Sequence, residues 1–180
     1  DLACPALTID GRTLCRDIRL TVRAKDKLCI CGKNGVGKST LLRLIRDTLE
    51  KRADLRVFYM PQDPGGLLDP RLSPVELLSP SGEKDARSRA GLLLGSMKFP
   101  ADEMNHPCAG LSGGQKAKLM FLMMAESRAD VLLLDEPTRN LSPLSGPVVR
   151  NLFADYPGCI IAVSHDRRFV EAVCTRAVRL

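Results

Sequence analysis

A glycine-rich loop between an apolar strand pattern and a helical pattern is the feature that most constrains the fold of this chain. The loop, Gly32 to Thr40, reads GKNGVGKST. The short apolar run KLCIC ends directly before it, and STLLRLIRDTL after it has apolar residues at helical spacing. Strand, tight glycine loop and helix in this order are typical of phosphate sites in α/β proteins. The sequence therefore predicts an α/β fold with an anion site at the start of the helix.

The residue types in the loop suit nucleotide phosphates. Residues 32–39 match the pattern G-x-x-x-x-G-K-[ST], in which glycines let backbone N–H groups surround phosphate oxygens. In this pattern Lys38 reaches the β and γ phosphates and Ser39 ligates Mg²⁺. The loop therefore predicts a P-loop nucleotide triphosphatase. Its predicted nucleotide-binding residues are Gly32, Lys33, Asn34, Gly35, Val36, Gly37, Lys38, Ser39 and Thr40.

A later apolar run, VLLLDE, supplies two carboxylates. It predicts a buried strand with Asp135 and Glu136 at its polar end. Beside a P-loop, Asp135 is the expected residue of the Mg²⁺ shell, and Glu136 is placed to polarise the water that attacks the γ phosphate. An ordinary strand that ends in two surface acids is the alternative, and the P-loop earlier in the chain argues against it.

Alternating strand and helix patterns predict a mainly parallel sheet covered by helices. LTID and DIRLTVR read as an N-terminal antiparallel hairpin, and LRVFYM, VLLLD, CIIAVS and AVRL read as further strands. Helices are expected near 113–127 and 148–156 and after His165.

The segment from Gln62 to Gly110 differs in composition from the rest of the chain. It is rich in Pro, Gly and Ser, with short helical stretches near 75–78 and 87–94. We therefore predict a single domain over 1–180. Its core is expected at 1–62 and 111–180, with a small helical insert at about 63–110.

The pentapeptide LSGGQ, Leu111 to Gln115, has two interpretations. Ser112 and Gln115 are spaced as a capping box at a helix start, which requires no ligand. The two glycines also leave backbone N–H groups bare at a helix N-terminus, which favours a second anion site. The pentapeptide resembles the signature motif of ATP-binding cassette (ABC) proteins.

Other landmarks of the ABC family occur in the family's order along nearly the whole chain. Gln62 in YMPQD resembles the Q-loop glutamine, DEPT extends the acidic strand, and His165 in VSHDR resembles the switch histidine. The resemblance implies that Gln62 senses Mg²⁺ and the attacking water and that His165 contacts the γ phosphate. Both thereby join Lys38 and Glu136 in the predicted catalytic set. It also implies contacts to ATP on a facing cassette from Ser112, Gly113, Gly114 and Gln115.

Within the family, the resemblance is strongest to the ABC-F branch, whose members carry two cassettes in one chain and act on the ribosome. DEPTRNLSPLS and VSHDRRFVEAV resemble this branch, and TRNLSP resembles its antibiotic-resistance members. Ser142 occupies the position at which many cassettes have an aspartate. The compact insert favours the second cassette of such a chain. The ATPase subunit of a membrane transporter and an ATP-dependent clamp with little turnover are the alternatives.

The resemblance also implies ATP and Mg²⁺ as cofactors and a second cassette as partner. That cassette lies in the same parent chain or in a second copy, because one chain has one P-loop and one signature motif. Cassettes usually stack adenine on an aromatic residue upstream of the P-loop, whereas the first aromatic residue here is Phe58. Ile9 and the plane of Arg12 are the candidates for that contact.

Composition narrows the cellular setting. No apolar run approaches the roughly 20 residues that span a bilayer. The net charge of +6 comes from Lys and Arg in residues 1–56, around the loop, which suits polyphosphate and also nucleic acid. Seven cysteines without C-x-x-C spacing predict reduced thiols in the cytoplasm and no zinc site. The chain lacks an initiating Met, so we expect a piece of a longer protein.

Overall fold

The backbone forms strands and helices through most of the chain. The computed structural model describes residues 2–9, 12–139 and 145–180. Side chains are described from Ile18 onward, except at Arg19, Pro64 and Ser145. The described residues divide into two compact units, which are presented separately below.

The first unit contains two β-sheets and consists of residues 2–62, 129–139 and 145–180. Strands β1 (Leu2–Ile9) and β2 (Arg12–Leu20) pair antiparallel. The second sheet is parallel, with the strand order β4-β5-β6-β3-β7. Its strands are β3 (Lys27–Cys31), β4 (Val57–Met60), β5 (Val131–Asp135), β6 (Cys159–Val163) and β7 (Arg176–Arg179). An antiparallel N-terminal pair and a parallel sheet are what the sequence predicts.

The centre of the parallel sheet is covered on both faces. All five residues of β5 and all five of β6 are buried. Val131 and Leu133 belong to a core that includes apolar residues of helix α1 (Lys38–Leu49). Leu132, which alternates with them and therefore points to the other face, is also fully buried. An unbroken apolar run such as VLLLD is the pattern that a strand buried on both faces requires.

Two further helices of the first unit pack against each other, α5 (Ser145–Ala154) and α6 (Arg167–Val173). Phe153 and Phe169 meet edge to face, with ring centroids 5.7 Å apart and planes at 81°. Both rings are fully buried. An aromatic pair of this kind contributes about 0.5–1.5 kcal/mol beyond its area burial. The pair therefore helps to hold α6 against α5, and α6 begins two residues after His165.

The second unit, residues 63–128, is helical. It contains α2 (Pro74–Leu78), α3 (Lys84–Ser96) and α4 (Gly113–Ser127). Arg89 of α3 and Glu126 of α4 form an ion pair of 3.0 Å. The apolar stretch LMFLMM of α4 is largely buried, as expected for a helix that contributes to a core. The second unit includes α4 and thus extends past 110. The single-domain organisation with an insert at about 63–110 stays a prediction.

Two expectations from composition concern the whole chain. Among the described residues, no helix combines the length and the apolar character needed to cross a bilayer. The described cysteines are all free thiols, namely Cys29, Cys31, Cys108, Cys159 and Cys174. Burial raises the pKa of Cys159 to about 11, so this thiol stays protonated near neutral pH.

Candidate functional site

The glycine loop connects the end of β3 to the start of α1, as its sequence predicts. Gly32 has a φ of 152°, and a Cβ atom there would lie 3.0 Å from the Leu180 carbonyl oxygen. Gly37, the N-cap of α1, has a left-handed backbone with a φ of 102°. None of the described side chains caps this helix, and its first turn carries no acid. The first backbone N–H groups of α1 are therefore available to an anion, which the helix dipole also favours.

Lys38 lies over the loop rather than extending into solvent. The residue is only 7% exposed. Its Nζ donates hydrogen bonds to the carbonyl oxygens of Gly32, at 3.0 Å, and Lys33, at 2.9 Å. These two bonds hold a positive charge at the loop, where phosphate oxygens would carry negative charge.

Asp135 ends β5 with a buried carboxylate that is only partly satisfied. The residue is 3% exposed, and its Oδ1 atom has no hydrogen-bond partner among the described residues. Burial raises the pKa of Asp135, against the opposing effects of a hydrogen bond from Ser39 and the charges of Arg43 and Lys38. A free carboxylate oxygen beside a serine hydroxyl is an oxygen donor set of the kind that Mg²⁺ prefers. The residues present therefore fit the metal that the sequence predicts.

The described residues contain no cluster of three or more His, Cys, Asp or Glu side chains able to hold a metal ion by themselves. Mg²⁺ commonly keeps several waters and binds through one or two carboxylates together with substrate phosphates. A site with one carboxylate and one hydroxyl is consistent with that mode. It is not consistent with a cage made of protein ligands alone.

Glu136 follows β5 in an unusual backbone conformation. Its φ is 51°, in the left-handed region that costs energy for residues other than glycine. Its N–H donates to the Val163 carbonyl at 2.8 Å. One carboxylate oxygen accepts from the His165 backbone N–H at 3.3 Å, and the other lies 3.6 Å from His165 Nε2. The end of β6 thus fixes the position of Glu136, whose side chain remains 15% exposed.

These side chains line one cleft of about 520 Å³ in the first unit. The cleft lies where the loop after β3 and the residues that follow β4, β5 and β6 meet, at the carboxyl edge of the sheet. Ligands of open α/β sheets usually bind at this edge. Its lining consists of Asn34, Gly35, Gly37, Lys38, Ser39, Thr40, Gln62, Asp135, Glu136, Arg139, Val163 and His165.

Most of the predicted site residues are therefore brought together, including Gln62 and His165. Gly32, Lys33 and Val36 shape the loop but do not line the cleft. Sequence reasoning missed Arg139 and Val163. A signal for Arg139 existed, because a cation follows the acidic pair closely in DEPTR, whereas the apolar Val163 gave none.

The LSGGQ motif belongs to the second unit, and its residues are not among those that line the cleft. Ser112 is the N-cap of α4, and its hydroxyl accepts from the Gln115 N–H at 3.3 Å. The Ser112 N–H donates to Gln115 Oε1 at 2.8 Å, which completes the predicted capping box. Gln115 also donates to the Glu103 carboxylate. Gly113 and Gly114 are exposed, with no atom close to where their Cβ atoms would be.

Three predicted features lie outside the description. Ser142 falls in the gap 140–144, and the side chains of Ile9 and Arg12 are not described. The prediction of an aliphatic or guanidinium contact to adenine therefore stays a prediction, as does the effect of Ser142.

Comparison with known proteins identifies the family. The family model described as ABC transporter matches residues 15–139. ABC transporter F family member 5 of Arabidopsis thaliana is 32% identical over 180 residues, covering 95% of this chain and 26% of that protein. The energy-dependent translational throttle protein EttA of Mycobacterium tuberculosis is 28% identical over 179 residues, covering 92% of this chain and 32% of that protein. The chain thus spans about a quarter to a third of the length of these relatives.

Solved structures show the same fold. The ATP-binding cassette MJ0796, in a dimeric post-hydrolysis state bound to ADP and Pi, superposes with a TM-score of 0.78. The match covers 99% of this chain and 93% of that one at 19% sequence identity. It confirms the predicted α/β cassette fold with its P-loop. The chain belongs to the ABC transporter family, as an ATP-binding cassette of that family.

Proposed function

We propose that this cassette binds Mg-ATP in the cleft at the carboxyl edge of its parallel sheet and hydrolyses it with Glu136 as general base. The observation that carries the proposal is Asp135 Oδ1, which has no hydrogen-bond partner in the part of the chain that the structure describes. This buried carboxylate lies beside Ser39 and in the same cleft as Lys38 and Glu136. A buried carboxylate with an unpaired oxygen is costly unless a cation binds there. A metal–nucleotide complex supplies that cation.

Each group has one task in the proposed reaction. The uncapped first turn of α1 and the loop N–H groups bind phosphate oxygens. Lys38 neutralises charge on the β and γ phosphates, and Ser39 with Asp135 holds the metal shell. Gln62 lines the same cleft and is proposed to orient the attacking water and the metal. A Mg²⁺ ion held by Ser39 and Asp135 would help to neutralise the negative charge that develops on the phosphates.

Glu136 is proposed to accept the proton of the attacking water. Its carboxylate is partly exposed and held in one place by the backbone and ring of His165, so it can meet a water without reorganisation. His165 in turn is proposed to contact the γ phosphate. The left-handed backbone of Glu136 supports this assignment, because strained residues of this kind cluster at functional sites.

The proposed reaction needs a second cassette. Ser112 and Gln115 satisfy each other at the start of α4, while Gly113 and Gly114 leave exposed backbone N–H groups. We propose that these four residues contact ATP bound on a facing cassette. The dimeric state of the structurally similar MJ0796 cassette supports a paired arrangement. Its partner here is a second cassette of the same parent chain or another copy of this one.

The ABC-F branch is the proposed parent class, with a cytoplasmic role on the ribosome in translation or antibiotic resistance. The sequences TRNLSP and VSHDRRFVEAV support it, as do relatives named as an F family member and as a translational throttle protein. An ATPase subunit of a transporter is the second candidate, because the matching family model describes transporters. A clamp with little turnover is the third.

Glu136→Gln tests the hydrolytic assignment. We expect the variant to bind ATP like the wild type and to release phosphate at least about 100-fold more slowly, because a general base contributes roughly 10²–10⁴ in rate. Phosphate release and nucleotide binding are measured on the protein in its paired state. Glu171→Gln, an exposed acid on α6, is the matched control and should keep full activity. Unchanged hydrolysis in Glu136→Gln would make the assignment wrong.

The parent class needs a separate measurement. If the parent is an ABC-F protein, its Glu136→Gln variant is expected to co-sediment with purified ribosomes in the presence of ATP more than the wild-type parent does. The reason is that slow hydrolysis prolongs the ATP-bound state. ADP is the control nucleotide. No nucleotide-dependent sedimentation, together with ATPase stimulation by a membrane permease, would favour the transporter. ATP binding without phosphate release in the wild type would favour the clamp.

A further inference from the structure

Arg139 is a cation of the cleft that the mechanism above does not use. It lies three residues after Glu136 and lines the same cleft. Its backbone N–H donates to the Glu136 carbonyl at 3.1 Å, which ties its position to that of the general base. Among the residues that line the cleft, Arg139 and Lys38 are the two Lys or Arg side chains.

The charges of the lining show why a second cation matters. Asp135 and Glu136 contribute two carboxylates, which Lys38 and Arg139 offset. Without Arg139, Lys38 would be the remaining Lys or Arg side chain of the lining that could offset, together with a bound Mg²⁺, the charge of a triphosphate. Arg139 thus favours the nucleotide that carries the additional phosphate charge.

The two cations differ in what they already bind. The Lys38 ammonium donates to two loop carbonyls. Arg139 is exposed, and no carboxylate of the described residues forms an ion pair with its guanidinium. A guanidinium offers a planar pair of donors that matches two oxygens of one phosphate, which an ammonium cannot do. Arg139 therefore has both the charge and the free donors for a phosphate.

We propose that Arg139 contacts the terminal phosphate of ATP bound in its own cleft and makes the cleft selective for ATP over ADP. The terminal phosphate is assigned because Arg139 is fixed to Glu136, the residue proposed to face the attacking water. Lys38, held at the loop, is proposed to contact the β and γ phosphates, so Arg139 would add a second cationic contact to the γ phosphate. The inference rests on the proposed ATPase function and adds a residue that discriminates between substrate and product.

Arg139→Ala is expected to weaken binding of a triphosphate about tenfold or more, because charge-assisted hydrogen bonds to phosphate are lost. Binding of ADP should stay within about twofold. Arg139→Lys keeps the charge but not the paired donors, so its loss should be intermediate. The ratio of the two dissociation constants is the quantity that Arg139 controls.

The measurement is isothermal titration calorimetry of the protein with adenylyl imidodiphosphate and with ADP, both with Mg²⁺. Arg52→Ala is the matched control. It removes an exposed arginine that follows α1, at the end of the helix away from the phosphate loop, about 18 Å along its axis. Thermal unfolding of each variant checks that the fold is kept, as expected for an exposed side chain.

The results separate this inference from the proposed function. A raised triphosphate-to-ADP ratio of dissociation constants in Arg139→Ala, with none in Arg52→Ala, supports the inference. Equal losses for both nucleotides, or no loss in Arg139→Ala while the wild type binds both, would overturn the inference and leave the ATPase proposal intact. A wild-type protein that binds neither nucleotide would overturn the proposed function itself.

Discussion

Asp135→Asn tests the assignment of the metal ligand, because it removes one charge and changes almost no volume. In the wild-type chain the residue is 3% exposed, and its Oδ1 has no hydrogen-bond partner among the described residues. A buried polar group left unsatisfied costs about 1–3 kcal/mol, and more when it is charged. The amide removes the charge but places a neutral NH₂ group in the same position. We therefore expect the free energy of unfolding without metal to rise by about 1 kcal/mol.

Thermal unfolding in EDTA and in Mg²⁺ with adenylyl imidodiphosphate measures both consequences. A gain of 1 kcal/mol corresponds to about 2–4 °C for a chain of this size, so Asp135→Asn should melt higher in EDTA. The wild type should gain about 2.7 kcal/mol from a ligand at 100 times its dissociation constant. The variant should gain less, since it lacks the anionic metal ligand. The order of the two melting temperatures is thus expected to invert when metal and nucleotide are added.

Asp155→Asn is the matched control for this experiment. Asp155 is exposed, and its substitution should change stability by less than about 0.5 kcal/mol under both conditions. The reasoning is refuted if Asp135→Asn melts lower than the wild type in EDTA. It is also refuted if both proteins gain equally from Mg²⁺ and nucleotide.

The same substitution has a defined pH dependence. Burial raises the pKa of Asp135 above its ordinary 3.8, because desolvation disfavours the charged form. The folded chain then binds this proton more tightly than the unfolded chain does. The contribution of Asp135 to the free energy of unfolding therefore falls as the pH rises from 3.8 through the raised pKa. Below that window the carboxyl is neutral in both states, and the metal-free stabilities of wild type and Asp135→Asn should converge.

Two substitutions test the backbone packing before β6 and the capping of α2, with urea unfolding as the measurement. Gly158→Ala would place a Cβ atom 2.7 Å from the Asp130 carbonyl oxygen. We therefore expect the free energy of unfolding to fall by about 1–3 kcal/mol. An unchanged urea midpoint would contradict the close packing before β6. Ser73→Ala removes the hydroxyl that accepts from the Glu76 N–H at 3.3 Å in the capping box of α2. It should cost about 1 kcal/mol, whereas the exposed Ser88→Ala should have little effect; equal effects would argue against the cap.

Much of the site could be predicted because its signals are local. The glycines of the loop, the apolar run before Asp135 and the spacing of Ser112 and Gln115 each depend on neighbours in sequence. Local turn chemistry and strand periodicity therefore placed Lys38 and Asp135 correctly at the ends of their elements. The parallel sheet followed from the alternation of strands and helices.

The remaining features depend on strand order, which no local pattern encodes. Strand β3 lies between β6 and β7 in the sheet. Along the chain, however, β3 ends at Cys31 and β6 does not begin until Cys159. The pairing of β5 with β6, which lie next to each other in the same sheet, brings His165 to Glu136. The left-handed backbone of Glu136 likewise follows from its hydrogen bond to Val163 on the neighbouring strand. The place of Arg139 in the cleft depends on the turn after β5, in which its N–H donates to the Glu136 carbonyl.

The close approach of Gly32 to Leu180 links the phosphate loop to the outer strand of the sheet. The Leu180 N–H donates to the Cys31 carbonyl at 2.9 Å, and the space of a missing methyl group at Gly32 is filled by the Leu180 carbonyl. The main chain of Leu180, which is not among the residues that line the cleft, thus supports the loop from the side of β7. Natural variants that bind ATP weakly while keeping every motif residue are therefore worth mapping to β7, where a sideways shift of the strand would reach the loop.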